Sequence, residues 1–129
     1  MIAIAASRSL SAMEVAMKDL DVRTFDQHVD LVSQISPYGL VLDWGRRLEI
    51  ANRQYCDKIG ASTGFSARAC ESRIAQDSRL RPGLAATIRF LRERRNAVAH
   101  EPHASLATEE ATAFAHDAFR ALGELCRIL

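Results

Sequence analysis

Aromatic side chains are scarce in this chain, at 6% of 129 residues, and it holds only 6 glycines and 3 prolines. So few rings leave Leu, Ile, Val and Ala to build the core. So few turn formers argue against a β-sandwich or barrel with its frequent sharp turns. Lysine is nearly missing, found only at Lys18 and Lys58, so the positive charge is almost all arginine. The formal net charge is +1, which excludes a global field that would gather nucleic acid, and any such attraction must be local. No window approaches the roughly 18 apolar residues of a membrane span. Cysteine is sparse as well. Cys56, Cys70 and Cys126 are odd in number, far apart and without a C-x-x-C pair. That argues against a zinc site or a disulfide framework and predicts small, reduced core residues in a reducing cytoplasm. The opening "MIAIAASRSLSAMEVAM" has no basic residue ahead of its apolar run, is interrupted at Arg8 and is followed by Glu14, so it does not read as a signal peptide. The expectation is a soluble cytoplasmic protein.

What is present is helical periodicity in a chain that is 48% hydrophobic, enough for one compact domain. Residues 1–22 read as a leader, either flexible or carrying a short helix around Met13–Leu20, and residues 23–129 as the domain. "TFDQ" has the form of a capping box at Thr24, with Phe25, Val29, Val32 and Ile35 following at helical spacing. Ser36-Pro37 ends that helix and starts the next, serine as N-cap and proline in the first turn. Leu40, Trp44, Leu48, Ala51, Tyr55 and Ile59 then form one stripe, closed by Gly60 as a C-terminal cap. Ser66 caps a short helix through Ala75. A further helix runs from Pro82 to His100 with Leu84, Ile88, Leu91 and Val98 inward, ended by Pro102. The last helix starts at a Thr108 cap, with Glu109 and Glu110 where the dipole favours acids and Ala111, Phe114, Ala118, Ala121, Leu122, Leu125 and Ile128 inward. The expected fold is all-α, an antiparallel bundle of four to five helices.

Charge is unevenly spread along this pattern. Arg79, Arg81, Arg89, Arg92, Arg94 and Arg95 face a single acid, Glu93, in the same stretch, whereas the last helix leans acidic. Arginine suits bidentate contact with carboxylate or phosphate, although an arginine-rich composition also follows from genomic base bias. Within "LRERRNAVAHEP", Asn96 and His100 are four apart and share one helix face. Arg95 lies five residues before His100, about 140° around the helix. His100 falls at a helix C-terminus, an end that favours positive charge, so an ordinary capping role fits it too.

The segment "RNAVAH", Arg95 to His100, resembles the signature of the HEPN superfamily: an arginine, four to six residues, then a histidine, often with a polar residue directly after the arginine. "SPYGLVLDWGRRLEIANRQYCDKIG" is similar to the long early helix of bacterial members, with Trp44, Leu48 and Glu49 at its centre, and "LATEEATAFAHDAFRALGELCRIL" to their final helix. The resemblance spans about residues 24 to 129. It implies a helical bundle that forms a symmetric homodimer with both motifs on one cleft. Many members are metal-independent endoribonucleases, frequently toxins or defence effectors held by a cognate antitoxin. Others are inactive binding modules.

On that resemblance the catalytic set is Arg95, Asn96 and His100. Arg94 also satisfies the spacing, but Arg95 leaves Asn96 in the polar position. Arg92 and Arg94 are candidates for flanking phosphates, with a solvated face as the alternative. Glu49 is a candidate for the cleft, with a surface salt bridge as the alternative. No cofactor is implied. "HEPH", His100 to His103, has the wrong spacing for a metal because Pro102 interrupts the helix and no cysteine or carboxylate pairs with it. His28 and His116 read as isolated, and Trp44 and Tyr55 as core. The expected partners are RNA and a second copy, with no membrane. The rivals are a non-catalytic module that binds nucleotide, RNA or protein through the same cleft, and a plain helical dimer in which Arg95 and His100 only stabilise the interface.

Overall fold

A computed structural model describes residues 22–59, 66–101 and 106–129. Among them every regular element is a helix: α1 (Val22–Ile35), α2 (Pro37–Lys58), α3 (Ala67–Gln76), α4 (Leu84–His100) and α5 (Thr108–Ile128). They form an all-α bundle in which α2 touches each of the other four. No helix among the described residues is long and apolar enough to cross a membrane. The helix expected at Met13–Leu20 and the Gly60 and Pro102 stops lie outside the described residues.

The α1–α2 break is local chemistry. Ser36 is extended and its Oγ accepts from the Gly39 N–H at 2.9 Å, with Pro37 in the first turn. Ser66 caps α3 the same way, accepting from Ala69 N–H at 3.2 Å. Three other boundaries shift from the sequence expectation. Helix α1 starts at Val22, so Thr24 falls inside its first turn and does not precede it. Once Phe25 is anchored in the core, each further residue at that end adds a hydrogen bond at little cost. Ala107, not Thr108, precedes α5, and it offers no side-chain cap. Helix α4 begins at Leu84, two residues after Pro82, because Arg81–Leu84 is a type II turn closed by Leu84 N–H to Arg81 O at 3.1 Å. Its third residue, Gly83, has φ +93°, the left-handed value such a turn demands.

The core follows the helical stripes, with Leu40, Trp44, Leu48, Ala51 and Tyr55 of α2 buried against Ala111, Ala115, Ala118, Ala121, Leu122 and Leu125 of α5. The small alanines let those two helices pack along their length. Phe25 meets Trp44 edge-on at 4.9 Å and stacks on Phe119 at 4.0 Å, fixing α1 to the α2–α5 pair. The stripe reading fails at two ends: Ile35 is 75% exposed and Ile59 is also exposed.

The cysteine expectation needs correction. Cys56 and Cys70 are buried, but they form a disulfide, their Cα atoms 6.2 Å apart, while Cys126 is free. Their separation of 14 residues conceals the contact, because it is the packing of α3 against α2 that brings the two sulfurs together. Cys70 Sγ also lies 3.1 Å from the Asn52 carbonyl oxygen. Bridged, it has no proton to donate, so this is a packing contact.

Candidate functional site

Helix α4 carries the sequence-predicted residues, and polar anchors at its start set its position. Tyr55 of α2 donates to Asp77 Oδ2 at 2.7 Å, and Arg79 grips the same carboxylate through Nε and Nη2 at 3.0 and 2.7 Å. The Arg79 and Tyr55 hydrogen bonds hold Asp77 well below the usual carboxylate range. Burial, then the Asp77 partnership, pushes the Tyr55 hydroxyl up to about 12. Arg81 clamps Glu124 of α5 through two bonds of 2.9 and 3.2 Å. These contacts tie the α3–α4 connection to α2 and α5, which aims α4 along α2.

Between α2, α4 and the first residue of α3 lies a groove of about 260 Å³. Its walls are Leu48, Ile88, Leu91 and Ala67, and its polar lining is Glu49, Asn52, Arg92, Arg95 and Asn96. Four of the six sequence-predicted residues therefore meet in one place. Arg94 does not join them. It points to the other side of α4 and forms an ion pair with Glu110 of α5. His100 does not line the groove either: it is exposed at the last position of α4, and its ring has no hydrogen-bond partner among the described residues.

The arginine-rich stretch is not a basic patch. Arg79 pairs with Asp77, Arg81 with Glu124, Arg89 with Glu93, Arg92 with Glu71 and Arg94 with Glu110. Arg92 is held by a buried acid: its Nε and Nη2 reach Glu71 at 2.7 and 3.3 Å, and those bonds raise its pKa. Its charge is cancelled where it stands. Arg95 is the exception. Its nearest carboxylate, Glu49, is 3.9 Å from Nη1, and Glu49 also reaches Arg53 at 3.5 Å. Nη1 donates to Asn96 Oδ1 at a long 3.4 Å, and Nε is buried with no partner among the described residues.

Arg95 reaches this position because Gly45 gives it room. A Cβ at Gly45 would stand 2.5 Å from Arg95 Cγ and 3.1 Å from Arg95 Cβ, well inside contact distance. Beside it, Asn52 is only 6% exposed, and its Oδ1 is buried without a partner among the described residues. Both unpartnered atoms lie beneath the groove surface with almost no accessible area, so the groove presents to a ligand the outer parts of Arg95 and Asn96 against apolar walls.

Sequence reasoning missed Gly45, Asn52 and Glu71. Each left a signal. A glycine mid-helix costs about 1 kcal/mol against alanine, so Gly45 marks a close approach. Asn52 follows Leu48 by four and precedes Tyr55 by three, an amide set in a buried stripe. Glu71 follows directly on Cys70 and lies three before Ile74, an acid at a buried register. Among the described residues no group of three or more His, Cys, Asp or Glu could hold a metal ion, and His103 lies outside them. The chain matches no family model, no curated protein and no solved structure.

Proposed function

We propose that this chain is a metal-independent endoribonuclease of HEPN type, working as a homodimer in a toxin or defence setting and restrained there by a cognate antitoxin. The observation that carries this reading is Arg95. Of the six arginines in its stretch it has the longest ion pair, and its side chain lines a groove it shares with Asn96. RNA brings its own nucleophile. The 2′-hydroxyl loses a proton and its oxygen attacks the adjacent phosphorus. The bond to the 5′-oxygen breaks, and that oxygen takes up a proton. Arg95 stabilises the negative charge that grows on the phosphoryl oxygens, and Asn96 orients the phosphate. His100, exposed and one turn beyond Asn96, moves the proton. One chain supplies a single such histidine, and a second copy brings another across a twofold axis.

The test is cleavage of a labelled RNA pool in EDTA by wild type, Arg95→Ala and His100→Ala, with dimerisation followed by sedimentation. The expected result is a 2′,3′-cyclic phosphate product and a loss of at least about 100-fold in each variant, with helicity unchanged. A 5′-phosphate product, or cutting that survives both changes, refutes the reading.

A second reading is favoured by the separation of His100 from the groove lining. A non-catalytic module would use Arg95 and Asn96 to hold a nucleotide or RNA and would leave His100 idle. Salt-dependent RNA binding with no cutting by a folded dimer selects this alternative.

A further inference from the structure

We propose that the face of α4 around Phe90, where α4 meets α5, is the surface on which a second copy of this chain docks. The inference rests on the homodimer of the proposed function and not on the ribonuclease chemistry.

Phe90 is the knob of this surface. Of the large apolar side chains exposed among the described residues, Leu31, Ile35, Ile59 and Phe90, it is the only ring. It is 63% exposed although it sits mid-helix between the buried Ile88 and Leu91. Directly beside it is a hollow of about 180 Å³, floored by Val41, Leu91 and Phe114 and edged by Leu106 and Ala113. An apolar cavity of about 150 Å³ takes a benzene ring, so this hollow has room for a phenyl group. A knob and a hollow of matching size, side by side on one chain, fit each other across a twofold axis. Each Phe90 then enters the hollow of the other copy, and the pair closes on itself. A different protein would have to supply a ring of its own. A second copy already carries it.

The charges favour the same occupant. Further hollows open on either side of Phe90, towards Arg68 of α3 and towards Arg120 of α5. The three hollows that meet at Phe90 carry five arginines and five carboxylates between them, several already paired, as Arg94 is with Glu110 and Arg89 with Glu93. A face without net charge neither gathers a polyanion nor repels its own copy. An apolar centre inside a polar rim is the layout of a protein interface, and an aromatic anchor seated in a pocket is its energetic core. Residues of α3, α4 and α5 can all contribute to the roughly 800 Å² that a stable complex buries on each partner. Phe90 and Arg95 are five residues apart, about 140° around α4. The Arg95 groove opens towards α2 and the docking face towards α5, so dimerisation leaves both grooves open.

The experiment is sedimentation velocity of the full chain across a concentration series, for wild type, Phe90→Glu and Ala113→Trp, with helicity followed by circular dichroism. Both substituted positions are exposed, so the helices should hold. Wild type should be a dimer, and each variant should associate at least about 30-fold more weakly, as expected for the loss of an interface hot spot. In a mixture of ¹³C-labelled and unlabelled wild type, intermolecular contacts should join the Phe90 ring of one copy to the Ala113 and Leu106 methyls of the other. A monomeric wild type, or a dimer without those contacts, overturns the proposal without any variant having to fold, and a monomer leaves the face to a different protein. The failures are separable from those of the ribonuclease reading. A dimer joined through Phe90 that cuts no RNA removes only the enzyme, and a cutting dimer indifferent to Phe90→Glu removes only this face.

Discussion

Gly45 has no side chain, yet the site depends on it. Alanine there would strengthen α2 by up to about 1 kcal/mol of helix propensity and would drive its Cβ into Arg95 Cγ, 2.5 Å away. Because that clash falls at the base of the Arg95 side chain, Gly45→Ala should lower stability by about 1–3 kcal/mol despite the better helix propensity, and RNA cutting should fall by about 10- to 100-fold, since an ångström of misplacement is costly in catalysis. Thermal unfolding followed by circular dichroism and an RNA cleavage assay separate the two effects. Asp77 makes a pH prediction at the same scale. Its pKa is depressed by Arg79 and Tyr55, so its contribution is present above the unfolded value of about 3.9 and is lost as pH falls below it. Tyr55 works in the opposite direction. Its raised value means that the folded state keeps the proton longer, so its contribution holds below about 10 and is lost as pH climbs to about 12. Urea melts from pH 2 to 12 should show both limbs, and Asp77→Asn should flatten the acid one.

Among the elements, α3 is the shortest, and it is held to α2 by means other than apolar area alone. The Cys56–Cys70 bridge spans 14 residues, and Glu71, next to that bridge, grips Arg92 of α4. Closing a loop of that length restricts the unfolded chain by about 3 kcal/mol. Reduction of the wild-type protein should lower its unfolding free energy by about that amount in guanidinium melts run with and without reductant. An unchanged midpoint would show that the bridge does not contribute in solution. Because Ala67, the first residue of α3, lines the groove, the same bridge also sets how far α3 stands from Asn52.

For the molecule as a binding surface the decisive quantity is how little positive charge stays free along the Arg79–Arg95 stretch beside the groove. The six arginines from Arg79 to Arg95 each face a carboxylate, and α5 supplies two of the acids, Glu110 and Glu124. With a net charge of +1 and one loosely held arginine in the groove, few counterions can be released on binding a single strand. The affinity for a short RNA should then fall with salt on a log–log slope of about −1, for one or two phosphates neutralised. Fluorescence anisotropy between 50 and 500 mM salt measures it. A slope steeper than about −4 would mean that the ion pairs open and the stretch acts as a basic surface after all.

The fold was legible in the chain because helix formation is largely a local affair. The spacing of Leu40, Trp44, Leu48, Ala51 and Tyr55, the Ser36-Pro37 restart and the alanine-rich face of α5 each act within a few residues, and all three stand in the structure. Where helix ends depend on packing, the local reading slipped, as at Thr24, Ile35 and Thr108. The "RNAVAH" segment names Arg95 and Asn96, which line the groove, and His100, which does not; Arg92 and Glu49, named from the arginine stretch and the early helix, line it too. The sequence alone could not say which arginines are already paired. A carboxylate such as Glu71 or Glu110 reaches its arginine only after separate helices pack, so the stretch reads as basic along the chain and is neutralised in space. The same holds for the cysteines, for the room that Gly45 leaves for Arg95, and for Asn52, whose burial depends on what α3 and α4 lay over it. Periodicity along one helix sets which residues share a face. Only contact between helices decides which of those residues remain unpartnered and accessible, and those are the groups that bind.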